Sequence, residues 1–309
     1  MSIWLSELIQ GVQYGYLVYL PEQFGRKRVM GTWEDGAIVL PFDDLRSEGK
    51  DVCLERQAYM ELVERAIHSI KTSDLDKIVT SRKVEVKLKQ PQFLDLWMSW
   101  LEKFPNAFVF CIHHPQWGVW MGASPELLAY SKGDNFETMA LAGSKAIDDT
   151  SEWTPKEKSE HQMVVNMIGD VLDANGVVDI KLSPIQELRY AKVKHLQTHI
   201  GGKMKGDWFT LIKALHPTPA LSGSPVGLSK AWLAQNEGYD RKLYGGVMEL
   251  IVEDEKWAFV LLRCIHIQSD ASFAYVGGGV MENSDPELEW KETMWKLKSF
   301  IFAPDEDFR

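Results

Sequence analysis

The 309-residue chain is poor in cysteine, with Cys53, Cys111 and Cys264 widely spaced. They form no CxxC pair and no disulfide framework, which excludes a cysteine-based zinc module and points to a reducing cytoplasm. Basic charge is also short: 34 Lys and Arg stand against 44 Asp and Glu, for a net −10. No basic patch stands out, so neither nucleic acid nor an anionic membrane is an expected partner. No apolar run reaches the roughly 18 residues of a membrane span, and no signal peptide is evident. Repeats, low-complexity tracts and linker-like segments are likewise missing, so residues 1–309 read as a single domain. What is present is ordinary globular material, 45% hydrophobic and 25% charged, with twelve tryptophans available for a core.

Periodicity predicts an α+β fold rather than a doubly wound sheet. Residues 1–50 hold short apolar runs broken by glycine and read as irregular strands. A helical pattern runs from about Glu55 to Ile70, and "DKIVTSRKVEVKL" (76–88) alternates like a strand. A helix at 91–104 and strands at 106–114, 118–124 and 126–143 follow. Thr154, Pro155 and Gly176 delimit a helix at 154–176. Short strands near 177–200, a helix at 208–215, a Pro/Gly-rich loop and a helix at 229–238 come next. Strands at 244–253, 257–268 and 272–281 form a meander. The closing helix, "SDPELEWKETMWKLKSF" (284–300), opens with a Ser284/Glu287 capping box.

That closing helix has one polar face too many. At about 100° per residue, Trp290, Met294, Leu297 and Ile301 form a buried stripe, while Glu287, Lys291 and Lys298 suffice as a solvated face. Glu289, Glu292 and Lys296 make a second polar face between apolar flanks. Another acid pair, Glu157 and Glu160, lies in "KEKSEHQ". Glu157 serves equally well as third partner of a Thr154 cap. Glu160 shares the apolar stripe of Val164, Ile168 and Val171, where an acid needs a partner. Together the two pairs suit an oxygen-only Mg2+ site.

Arg263 alternates with Phe259, Leu261 and Ile265, so it points where apolar side chains point. It either meets a structural carboxylate or grips one from a substrate. "YVGGGV" (275–280) is a bulge or a close approach of ligand to backbone. Lys77 is a solvated strand lysine or a base. Glu126, in "GASPEL", is a turn-edge glutamate or an acid presented into a dry pocket. His195 and His216 read as structural histidines that could also orient a ligand.

In order, "KIVTSR" (77–82), "GASPELL" (122–128), "ETMALAGS" (137–144), "KEKSEHQMVV" (156–165), "KHLQT" (194–198), "HPTPALSGSP" (216–225), "LYGGVM" (243–248), "LLR" (261–263), "GGGV" (277–280) and "SDPELEWKET" (284–293) are similar to segments of the chorismate-utilising enzymes. The resemblance covers residues 70–302. It implies an α/β sandwich like anthranilate synthase component I, with two large, mainly antiparallel sheets packed together and helices outside. It also implies Mg2+ ligated by Glu160 and Glu292, supported by Glu157 and Glu289, and holding the ring carboxylate of chorismate. Tyr244 and Arg263 would grip the pyruvyl carboxylate. The Gly278–Gly279 backbone and Lys296 would complete that anion site, with Gly143, Ser144 and His195 also lining it.

Lys77 at the head of its motif, and "ALAGS" in place of "PIKGT", resemble the isochorismate synthase branch. The implied reaction adds water at ring C2 with Lys77 as base, and Glu126 protonates the departing C4 hydroxyl. The product would feed menaquinone or siderophore synthesis. Salicylate synthase, the anthranilate and aminodeoxychorismate branches, and an inactive chorismate-binding relative remain the alternatives. A cytoplasmic monomer or weak homodimer is expected. Ser144 stands where the family usually has Thr, and the strand region 1–50 is shorter than usual for the family.

Overall fold

The structure is a computed structural model that describes residues 2–11, 13–35, 37–42, 52–190 and 193–301. In chain order it begins with α1 (Ser2–Ile9), β1 (Gly15–Tyr19), β2 (Arg28–Gly31), β3 (Ile38–Leu40), α2 (Arg56–Thr72) and β4 (Lys77–Glu85). Then come α3 (Gln90–Lys103), β5 (Phe108–His114), β6 (Gly118–Ser124), β7 (Leu127–Lys132), β8 (Asn135–Ala146) and α4 (Pro155–Ala174). The next elements are β9 (Val177–Leu182), β10 (Gln186–Tyr190), β11 (Val193–Met204), α5 (Trp208–Leu215), β12 (Gly223–Ser224) and α6 (Val226–Asn236). The chain closes with β13 (Val247–Val252), β14 (Glu255–Val260), β15 (Cys264–Ile267), β16 (Ser272–Val280) and α7 (Pro286–Phe300).

Two eight-stranded antiparallel sheets form, as the α+β reading expects. One runs β12-β4-β16-β15-β6-β5-β1-β2; the other runs β10-β11-β8-β7-β14-β13-β3, with β9 also paired to β11. Alternation along the strands gives each sheet an apolar inner face. Phe108 of the first sheet stacks on Phe259 of the second, centroids 4.2 Å apart, at the middle of that interface. Trp97 and Trp100 of α3 join Leu5 and Leu8 of α1 on the outside of the first sheet. On the second core, Leu62 and Val63 of α2 pack in one cluster with Val164 and Ile168 of α4 and Trp208 of α5.

Three readings change. Residues 2–9 are a helix, because Leu5, Leu8 and Ile9 fall on one helical face and are buried together. Residues 43–50 of the expected strand region lie outside the described residues. The stretch 257–268 is not one strand: β14 belongs to the second sheet and β15 to the first, and Leu261–Arg263 crosses between them. The cap of α7 is Asp285, whose carboxylate accepts the Leu288 amide at 3.0 Å, while Glu287 pairs with Arg56 of α2. Ser284 accepts the Met281 amide instead.

Candidate active site

A cavity of about 480 Å3 opens between the sheets. β4 delivers Lys77 to it at the strand's first residue. The side chain is 1% exposed and its Nζ lies 2.7 Å from Glu160 Oε1. Glu160 comes from α4, and Val164 and Ile168 beside it on that helix are buried with it. The β6–β7 connection places Glu126 in the same cavity, 5% exposed. Burial pushes its carboxyl up to about 8, against the opposing pull of Lys77 and Lys296.

Gly277, Gly278 and Gly279 line the cavity beside both acid pairs. None has a positive φ; the glycines supply room. A Cβ on Gly279 would overlap Glu160 Oε1 and come within 2.8 Å of Lys77 Cε. A Cβ on Gly278, pointing the other way, would meet Glu289 Oε2 at 3.2 Å and Glu292 Oε1 at 3.5 Å. Because β15 pairs with β16 only over Ser272–Ala274, the edge of β16 beyond it is left open by the strands. Gly277 turns its carbonyl outward, where Lys296 Nζ donates to it at 2.7 Å. Alternation turns the Gly279 backbone to the same edge.

The surplus polar face of α7 is the one that meets these glycines. Glu289 is 3% exposed, and Thr293, Leu297 and Phe300 share its buried side, so Trp290 and Met294 sit at the margin. Burial first, then the neighbouring Glu292, pushes the Glu289 carboxyl up to about 7. Lys296 pairs with Glu292 at 2.6 Å and Lys156 with Glu289 at 3.0 Å. Lys156 escaped the sequence reading. Burial lowers its pKa, yet Glu289, Glu160 and Glu292 raise it further, so its ammonium sits in the field of all three carboxylates. Glu157 is not among them: its carboxylate accepts the Thr154 amide and hydroxyl in a capping box. Among the described residues no three acidic, His or Cys side chains form a ready metal cage.

Arg263 occupies the crossover between the sheets, with φ +48°. Its burial matches the sequence reading, but the cause is the crossover and not strand alternation. A left-handed backbone there turns the guanidinium into the cavity. It donates to Ser299 Oγ at 2.6 Å and to His195 Nε2 at 3.2 Å, and no carboxylate among the described residues pairs with it. His195 and Ser144 face each other across a β8–β11 bulge, where Gly143 has φ +77°. Burial, then Arg263 and Lys296, holds the His195 imidazole well below its ordinary pKa and so neutral. Tyr244 stacks on Tyr275 at 5.4 Å and lies beneath Gly277. His216 bonds Pro41 O, away from these groups.

The cavity thus gathers a buried lysine, a carboxyl that burial keeps protonated, a guanidinium bonded to neutral groups and three more acidic side chains. The chain resembles proteins of known name. Isochorismate synthase EntC of Escherichia coli strain K12 is 29% identical over 277 residues, spanning 83% of this chain and 70% of that protein. The solved MenF, the menaquinone-specific isochorismate synthase of Escherichia coli, is 26% identical with TM-score 0.71, covering 82% of this chain and 64% of that one. A 2,3-dihydroxybenzoate-specific isochorismate synthase structure, DhbC from Bacillus anthracis, shares the fold at TM-score 0.73 and 24% identity, covering 97% of this chain and 86% of that one. The family model for chorismate binding enzymes matches residues 42–303, and the chain belongs to that family.

Proposed function

We propose that this protein is an isochorismate synthase that converts chorismate to isochorismate with Mg2+. The observation that carries the reading is the placement of Lys77 and Glu126 on one cavity, the Glu126 carboxyl kept protonated by burial. Lys77 takes a proton from the water that adds at ring C2. Glu126 protonates the C4 hydroxyl, which departs as water while the ring double bonds shift. Lys77 must be an amine for this, so its 2.7 Å pairing with Glu160 belongs to the resting state.

The donor set suits Mg2+: Glu160, Glu289 and Glu292 offer only oxygen, and their field already favours the Lys156 ammonium. Glu160 and Glu292 would hold the ion, with Glu289 and, from its cap, Glu157 supporting. When bound, Mg2+ supplies positive charge for the substrate's ring carboxylate. Arg263 and Tyr244 grip the pyruvyl carboxylate, flanked by Gly143, Ser144 and His195. Lys296 and the Gly278–Gly279 backbone close the anion site.

Three unbridged cysteines and the lack of a helix, among the described residues, long and apolar enough to cross a membrane support a cytoplasmic enzyme. We assign it as a monomer or weak homodimer feeding menaquinone or siderophore synthesis. The test is to incubate purified protein with chorismate and Mg2+ and resolve the products chromatographically, with a chelated control. Isochorismate that disappears on chelation supports the assignment. Salicylate with pyruvate indicates a salicylate synthase, and an ammonia-dependent product the anthranilate or aminodeoxychorismate branch. Binding without turnover indicates an inactive relative.

A further inference from the structure

Two buried arginines line the cavity and are treated in opposite ways. Arg241 is bidentate with Glu237, at 2.7 Å from both Nε and Nη2, and its charge is cancelled. Arg263 is 6% exposed; among the described residues its hydrogen bonds go only to neutral groups, and the nearest acid acting on it, Glu292, is already paired with Lys296. The hydroxyl of Ser299 spends its proton on Lys296 O at 2.6 Å, so a lone pair is what faces Arg263 Nη1. His195 Nδ1 lies 3.1 Å from Gly143 O, which can only accept, so Nδ1 carries the proton and Nε2 accepts from Arg263. The Tyr190 ring covers the guanidinium at 5.3 Å. Two lone pairs and a ring fix the fork in direction without neutralising it.

We propose that Ser299 is a positioning residue, aiming Arg263 at the substrate's carboxylate while withholding a counter-charge from it. The proposal rests on chorismate being the substrate. A serine that merely bonds the carbonyl three residues back along a helix is common, so the test must separate the two roles.

Steady-state kinetics with chorismate and Mg2+ are measured beside thermal melting for three variants. Ser299→Ala removes the lone pair from a charged donor and should raise KM about tenfold while kcat stays within about threefold. Ser299→Thr keeps the hydroxyl and should return KM to within about twofold of the wild type. Ser299→Asp supplies the missing counter-charge; KM should rise about a hundredfold with no fall in melting temperature. Unchanged KM in Ser299→Ala with a lowered melting temperature would make the serine structural and overturn the proposal. So would near-normal KM in a folded Ser299→Asp. If Ser299→Asp does not fold, the alanine and threonine variants decide. If the wild type makes a product other than isochorismate, the reading of the reaction fails, yet the KM series still judges the grip.

Discussion

Replacing Glu126 by Gln should improve stability and ruin turnover, and the first effect should grow with pH. Burial pushes this carboxyl up to about 8 from 4.5. A raised acid contributes stability that is fully present below the unfolded pKa and is lost as pH rises through the folded one. Gln imitates the protonated form at every pH, so the variant escapes that loss. At 1.36 kcal/mol per unit, the advantage of the variant is about 1 kcal/mol at pH 5, about 3 at pH 7 and about 5 at pH 9. For a chain of this length, with about 2.1 cal/mol/K of unfolding entropy per residue, pH 7 corresponds to about 5 °C in Tm. Removing the acid should lower kcat about 10²- to 10⁴-fold. Wild-type kcat/KM should itself decline above pH about 8 as the carboxyl ionises. Melting curves and rates from pH 5 to 9, on both proteins, check this. A Tm difference that does not vary with pH, or a wild-type rate level through pH 9, would refute the reasoning.

Lys77→Ala should cut turnover at least about 100-fold, measured as isochorismate formed, because the base is gone and Glu160 loses its 2.7 Å partner. Gly279→Ala should cost turnover about as much, since the new Cβ collides with Glu160 and Lys77. Gly169→Ala, on α4 with open space around it, should leave the rate alone and add about 0.5–1 kcal/mol in urea denaturation. Arg82→Met should lose about 2 kcal/mol in the same assay, because Arg82 lies 4.0 Å over the Trp290 ring and bonds Thr293 at 3.0 Å, pinning α7 to β4.

Much of the fold was legible because its signals are local. Thr154 and Pro155 mark the start of α4 whatever surrounds them, and the helical wheel of α7 isolates Glu289, Glu292 and Lys296 before any packing is known. Non-local facts were hidden. Arg263 looks like a strand residue because nothing in "FVLLRCI" shows that the chain changes sheets there. The glycines of β16 suggested unusual φ, yet none is positive; they clear space for side chains from α4 and α7. Lys156 and Ser299 look like surface residues of a first and a last helical turn. Only the approach of α4 to α7, and of α7 to the crossover, gives them partners. Their one sequence signal was spacing, Lys156 four before Glu160 and Ser299 three after Lys296.

The open edge of β16 has a consequence for dynamics. From Tyr275 to Val280 the first sheet has a notch one strand wide, and Lys296 fills only part of it. An anion seated against the Gly279 amide would take the place of the absent neighbour and finish the ladder from outside the chain. Ligand binding is then a late step of sheet assembly, and its signature should be slowed hydrogen exchange at Gly277 and Gly279, with little change at Gly278, whose backbone already faces β4.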